Sequence, residues 1–336
     1  MDRYHLTEMC NKLNLPLPIN KPTRVEGGLL HSMWKLDINN CSYAVKQLSK
    51  DIKLTEEVKN NYELTEMIAY RFSQKNIPAI SAMEIAGKHL LEISGTAFLI
   101  YPWVHAQTLD KKTISEEQAV KVATLVASLH LINLDVPELS EPTFDTHTSE
   151  KINSMIDKAI ANRCVFAEDL KNNRERILAI NEEFHKNIPV LQQTTVVSHG
   201  DLDQKNILWN AHNAPFLIDW ESARKLNPMY EIIDVSLNWS GITTDNFNEA
   251  LFIKMLEVYE QAGAGLNTNH IQAAFYAVLG NWINWLVYNI ERACNNDPEN
   301  IDQQRIGIEQ VQQVIPTLFR LEMLMPHLIK LMRKTQ

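Results

Sequence analysis

One short segment restricts the possible folds of this chain more than any other. Val197 to Glu221 reads VSHGDLDQKNILWNAHNAPFLIDWE, two compact β-like pieces in a region whose pattern is otherwise helical. A turn held by Gly200 can present Asp201, the next five residues return the amide of Asn206, and an apolar strand ends at Asp219. Asn and Asp oxygens suit Mg²⁺, whose octahedron is usually completed by phosphates and water. A further carboxylate that the metal does not need is then free to orient and deprotonate a hydroxyl. His199 beside Asp201 raises the alternative of a metal-dependent hydrolase, but no second histidine pair follows at ligand spacing.

Composition narrows the class. The chain has 336 residues and a formal charge of −9, which argues against a dedicated nucleic-acid binder. A hydrophobic content of 45% supports a real core and excludes wholesale disorder. Cys10, Cys41, Cys164 and Cys294 lie far apart, matching neither a disulfide framework nor a zinc site. No secretory signal is visible at the N-terminus. Ala273 to Asn289 is the most membrane-like stretch, but Asn281 and Asn284 interrupt it and it falls short of the roughly 20 residues a bilayer needs. The expectation is a cytoplasmic protein with no membrane, nucleic-acid or evident protein partner.

The first hundred residues and the remainder have different patterns. LLHSMWKLDI and CSYAVKQL flank Asn39-Asn40, and HLLEIS and TAFLIYPWV flank Gly95, each pair reading as antiparallel strands. Tyr62 to Lys75 has helical spacing and stops before Asn76-Ile77-Pro78. Beyond Pro102, Ser115 and Gln118 form a capping-box signature ahead of an apolar helix. Helical material continues over Lys151 to Phe184, and again from Asn248 to the end, bounded by Pro298 and Pro326. These patterns predict an α+β chain of two lobes: 1–101 with an antiparallel sheet and one main helix, and 102–336 mostly helical.

The pattern H-G-D-x-x-x-x-N followed by I-D-W-E resembles the aminoglycoside phosphotransferase and choline kinase family, relatives of the protein kinases. Other segments resemble that family in the right order. Gly27-Gly28-Leu29-Leu30-His31-Ser32 lies where its nucleotide-phosphate loop belongs, and Tyr43-Ala44-Val45-Lys46 matches the strand with its phosphate-binding lysine. Phe98 to Val104 looks like the hinge between its lobes, and Leu125 to His130 resembles its L-x-x-L-H helix.

The resemblance implies a bilobal protein-kinase-like fold and an ATP-dependent phosphotransferase acting on a small-molecule hydroxyl, an aminoglycoside-like antibiotic or a hydroxylated metabolite. Asp201 would orient that hydroxyl and accept its proton, while Asn206 and Asp219 would hold Mg²⁺ on the nucleotide. Lys46 would contact the phosphates, with Gly27, Gly28 and Ser32 cradling them and Tyr101, Trp103 and Val104 bordering the adenine. A flexible ammonium needs an acidic partner to place it; Glu66 is favoured, with Glu63 one turn earlier as the alternative. A catalytically silent nucleotide-binding protein of the same fold is the competing reading. The Gly-Gly pair is shorter than a protein-kinase glycine loop, and no A-P-E segment is evident, which makes protein-kinase activity unexpected.

Overall fold

The computed structural model describes residues 1–25, 31–142, 144–244, 246–295 and 301–334. They form two compact units, the first comprising Met1–Leu109, Leu134–Glu138 and His199–Arg224, the second the rest. The first unit opens with α1 (Arg3–Lys12), whose N-cap Asp2 accepts a hydrogen bond from the His5 amide. An antiparallel sheet follows: β1 (Thr23–Val25), β2 (Ser32–Ile38), β3 (Cys41–Gln47), β4 (Leu91–Ile93) and β5 (Thr96–Pro102), in the order β1-β2-β3-β5-β4. Asn39 and Asn40 both take left-handed φ, 49° and 64°, as a two-residue hairpin turn requires.

Strand alternation then sorts the side chains into two layers. Val45, Phe98 and Ile100 face a core completed by Met9 and Cys10 of α1. Leu99 belongs to a second core with Leu48 and Tyr62, and its register partner on β3 is Lys46. Tyr62 lies on α2 (Glu56–Ser73), capped by Thr55 and ended where Asn76 turns left-handed before Pro78. Lys46 is thereby carried to the α2 side of the sheet, a position fixed by the period of two.

After β6 (Ala106–Gln107) the second unit begins with α3 (Glu116–Ile132), where Ser115 and Gln118 form the expected capping box. Then come α4 (Ser149–Ala161), α5 (Ala167–Asn172), α6 (Arg174–Leu191) and β7 (Val196–Ser198). The chain next contributes β8 (Ile207–Asn210) and β9 (Pro215–Leu217), which join β6 in a small sheet of the first unit. The Leu217 amide donates to Pro78 O and its carbonyl accepts from Ile80, so backbone pairing ties this segment to residues just beyond α2. A cut after residue 101 follows chain order; compactness instead groups His199–Arg224 with the N-terminal sheet.

The remainder comprises β10 (Arg224–Leu226), which pairs with β7, followed by α7 (Pro228–Trp239), α8 (Glu249–Gln261), α9 (Ile271–Ala293) and α10 (Ile301–Met332). α9 holds the membrane-like stretch as a buried helix packed by α6, α7 and α10, and no helix among the described residues is long and apolar enough to cross a membrane. His130 of α3 bonds Glu231 of α7 at 2.6 Å and Tyr259 of α8 at 2.7 Å, a buried polar link between three helices. The predicted C-terminal boundary is corrected. Pro326, like Pro316, lies inside α10, while Pro298 is outside the described residues. A proline removes one backbone donor, and the buried row from Val311 to Met332 holds the helix together through that loss.

α10 approaches α9 closely at Gly307, where a Cβ would stand 2.6 Å from the Ala293 nitrogen and 3.0 Å from the Asn289 oxygen. Gly307→Ala gains about 1 kcal/mol in helix propensity but forces two backbones apart, and overpacking of that kind costs roughly 1–3 kcal/mol. Urea unfolding should show a net loss on the order of 1 kcal/mol. A variant more stable than wild type would contradict this crossing.

Candidate active site

Lys46 is 6% exposed, so its ammonium has left bulk water and needs acidic neighbours. It finds two, donating to Asp219 Oδ1 at 2.6 Å and to Glu221 Oε2 at 2.9 Å. Burial opposes the charged lysine, but Asp219 and Glu221 overcome it and raise its pKa above the usual lysine value. His31 Nε2 lies 3.3 Å from the same Glu221 oxygen, and its Nδ1 accepts from the Ser49 amide. Burial would raise the Glu221 carboxyl, yet His31 and Lys46 hold it down at about 2.

Asp219 reaches Lys46 because the chain turns sharply after β9. Its backbone is left-handed, φ 63° and ψ 60°, an unusual conformation for a residue with a Cβ. A single 3₁₀ turn, Trp220–Ser222, then brings Glu221 round to the same ammonium. Trp220 anchors that turn: it is buried, stacks on Phe72 of α2 at 5.4 Å, and lies 4.6 Å from the His199 ring.

His199 orders the preceding loop. Its Nε2 lies 2.9 Å from Ile218 O, and the Asp201 amide donates to its Nδ1 at 3.3 Å, which fits an Nε2-protonated ring. Gly200 has φ 77°, and a Cβ there would meet Ser222 O at 2.5 Å, so glycine is needed for both conformation and space. Asn206 donates from Nδ2 to the Asp201 carbonyl and to its Oδ2, both at 2.7 Å. The nitrogen end of this amide is thus committed to Asp201, and the oxygen end is the donor it can offer a cation. The Ile218 amide donates to Asn206 O at 3.0 Å, coupling the Asp201–Asn206 loop to the strand that delivers Asp219.

Among the described residues no group of three or more His, Cys, Asp or Glu side chains is arranged to hold a metal. One carboxylate and one amide oxygen nevertheless fit Mg²⁺, which commonly takes few protein ligands and the rest from phosphate and water.

The expected pairing of Lys46 with Glu66 or Glu63 is corrected. Glu66 accepts from the Tyr101 hydroxyl and the Ala82 amide, each at 2.6 Å, while Glu63 accepts from the His89 and Leu90 amides. Burial raises the Glu66 carboxyl despite these bonds, and burial followed by Glu66 raises the Tyr101 phenol. The hydroxyl of Tyr101 is therefore occupied in holding β5 to α2. The Trp103 amide donates to Ser42 O, its ring lies beneath Lys35 Nζ at 5.2 Å, and Val104 O accepts from Ala106. Ser32 opens β2 opposite Gln47. Gly27 and Gly28 lie outside the described residues.

Glu221 and His31 carry roles that spacing did not reveal. The available signal was the second acid of I-D-W-E, two positions past Asp219, in a turn too short to send it elsewhere. A carboxyl depressed on folding adds stability above its unfolded value, here 4.5, and loses it as pH falls through about 2. Glu221→Gln should therefore flatten the decline of urea-unfolding stability across that interval. A variant that declines as steeply as wild type would contradict the Lys46–Glu221–His31 arrangement.

The model of the phosphotransferase enzyme family matches residues 22–264. A search of curated protein sequences finds no match. Among solved structures, a spectinomycin phosphotransferase, APH(9)-Ia, in complex with ADP and spectinomycin has a TM-score of 0.71 at 14% identity, covering 96% of this chain and 99% of that one. Amicoumacin kinase hAmiN, in complex with AMP-PNP, Ca²⁺ and Ami, gives 0.63 at 14% identity, covering 92% and 94%. Choline kinase LicA from Streptococcus pneumoniae gives 0.59 at 15% identity, covering 94% and 98%. The fold is kinase-like, with an antiparallel N-terminal sheet and a mostly helical C-terminal part. The chain belongs to the phosphotransferase enzyme family.

Proposed function

We propose that this phosphotransferase moves the γ-phosphoryl group of Mg·ATP to a hydroxyl of a small molecule. The observation that carries the reading is the buried Lys46 ammonium, 2.6 Å from Asp219 and 2.9 Å from Glu221, with Ile218 beside Asp219 bonded to Asn206 and Asn206 bonded to Asp201. Lys46 would bind the nucleotide phosphates, exchanging a carboxylate contact for phosphate oxygens. Asn206 and Asp219 would hold Mg²⁺, which neutralises phosphate charge when bound. Glu221 would keep Lys46 oriented while Asp219 serves the metal. Backbone groups of Trp103 and Val104 would meet the adenine edge, with Gly27, Gly28 and Ser32 on the phosphate side. The spectinomycin phosphotransferase complex with ADP and the amicoumacin kinase complex with AMP-PNP support a nucleotide co-substrate.

Asp201 would orient the acceptor hydroxyl and take its proton as the oxygen attacks the γ-phosphorus. Its carboxylate is steadied by Asn206 Nδ2 at 2.7 Å and faces Lys205 Nζ at 3.4 Å, while 40% of its side chain stays accessible to an acceptor. Phosphoryl transfer demands mainly placement and charge stabilisation, which such fixed donors and carboxylates supply. The acceptor would be an antibiotic or a hydroxylated metabolite; the related structures include kinases of both kinds.

ADP release measured across a panel of hydroxyl compounds, beside drug susceptibility of a host expressing the chain, identifies the acceptor. With that acceptor, Asp201→Ala should lower kcat by roughly 10²–10⁴-fold with nucleotide affinity largely kept. Asp219→Ala should in addition weaken Mg-dependent nucleotide binding in calorimetry. Wild-type turnover by purified Asp201→Ala would refute the assigned role. Nucleotide binding without turnover across the whole panel would favour the silent reading instead.

A further inference from the structure

Two of the four cysteines, 130 positions apart in sequence, meet in the second unit with their Sγ atoms 3.6 Å apart. Helix termination brings them together. α4 ends in a Schellman arrangement: the Arg163 amide donates to Ile160 O, the Cys164 amide donates to Ala159 O, and Arg163 takes φ 53°. That geometry folds the residue after the left-handed position back onto the helix and its neighbours. Cys294 is the C-cap residue of α9, and Asn162 Nδ2 approaches its carbonyl at 3.5 Å. Both thiols thus follow helix C-termini that are already in contact, and α4 packs on α9.

Access is unequal. Cys294 is 4% exposed, whereas Cys164 is half-buried and lines a surface depression of about 630 Å³ with Ile160, Arg163 and Val165. Cys164 is therefore the thiol on the accessible side, and Cys294 reacts through it.

We propose that Cys164 and Cys294 are a covalent modification site, closing to an intramolecular disulfide on exchange with a small-molecule disulfide such as oxidised glutathione. The Cys164 thiolate attacks one glutathione sulfur, forming a mixed disulfide and expelling a glutathione thiolate. The Cys294 thiolate then attacks the Cys164 sulfur and expels the second glutathione. Two protein thiols are oxidised, one disulfide is reduced to two thiols, and the protein's two thiol protons are taken up by the released thiolates. Closure requires the sulfurs to approach from 3.6 Å to bonding distance. Burial, then the neighbouring Cys294, raises the Cys164 thiol to about 11, so exchange is slow and the pair stays reduced at low disulfide concentration. The site is independent of the phosphotransfer reading.

The test uses the full chain carrying Cys41→Ser, which removes the exposed thiol and leaves Cys10, Cys164 and Cys294. After incubation with excess oxidised glutathione, the denatured protein should titrate one thiol rather than three. Its mass should fall by two hydrogens, with the Cys164 and Cys294 peptides joined in a map that dithiothreitol reverses. Adding Cys294→Ser should instead stop the reaction at a glutathione adduct on Cys164. Three remaining thiols, an adduct as the final product with both cysteines present, or a covalent dimer would each overturn the proposal.

Discussion

A buried ammonium held between two carboxylates is the interaction on which the first unit depends. Removing Lys46 from water is costly, and the cost is met only where opposite charge stands at hydrogen-bonding distance. Asp219 and Glu221 provide it from 173 and 175 positions away. The pair therefore specifies a long-range closure as well as a charge balance. Removing Lys46 leaves two facing carboxylates without their cation, whereas removing one carboxylate leaves the ammonium its other partner.

Most neighbouring features serve to deliver those three groups. The period of two in β3 places Val45 in one core and Lys46 on the opposite face. Trp220, between Phe72 and His199, holds the turn that brings Asp219 and Glu221 round. His199 and Asn206 bind the same short loop from opposite ends, so Asp201 inherits its position from bonds to His199 and Asn206, each of which is tied to Ile218. Asp219 itself is held in a left-handed conformation, which a residue with a Cβ adopts at a cost.

How much of this was legible follows from the range of each signal. Asn39-Asn40, the Ser115–Gln118 capping box and the apolar α9 are local patterns, and they appear in the fold as expected. The loop from His199 to Asp219 was legible because its geometry is also local, set by one glycine and two short strands. The partner of Lys46 was not, since spacing on α2 cannot tell which acid faces the ammonium. Glu66 is spent on Tyr101 and Ala82, and a nearer pair of carboxylates arrives from a distant turn. Proline likewise misled in α10, where burial of one long face outweighs a missing backbone bond.

The central claim is that this ammonium is a phosphate-binding group kept in place by Asp219 and Glu221. Its most direct test is a crystal structure of the protein with Mg²⁺ and a non-hydrolysable ATP analogue. Lys46 Nζ should lie within about 3 Å of phosphate oxygens, with Glu221 still beside it and Asp219 and Asn206 on the metal. A nucleotide bound away from Lys46, with both ion pairs unchanged, would contradict the account.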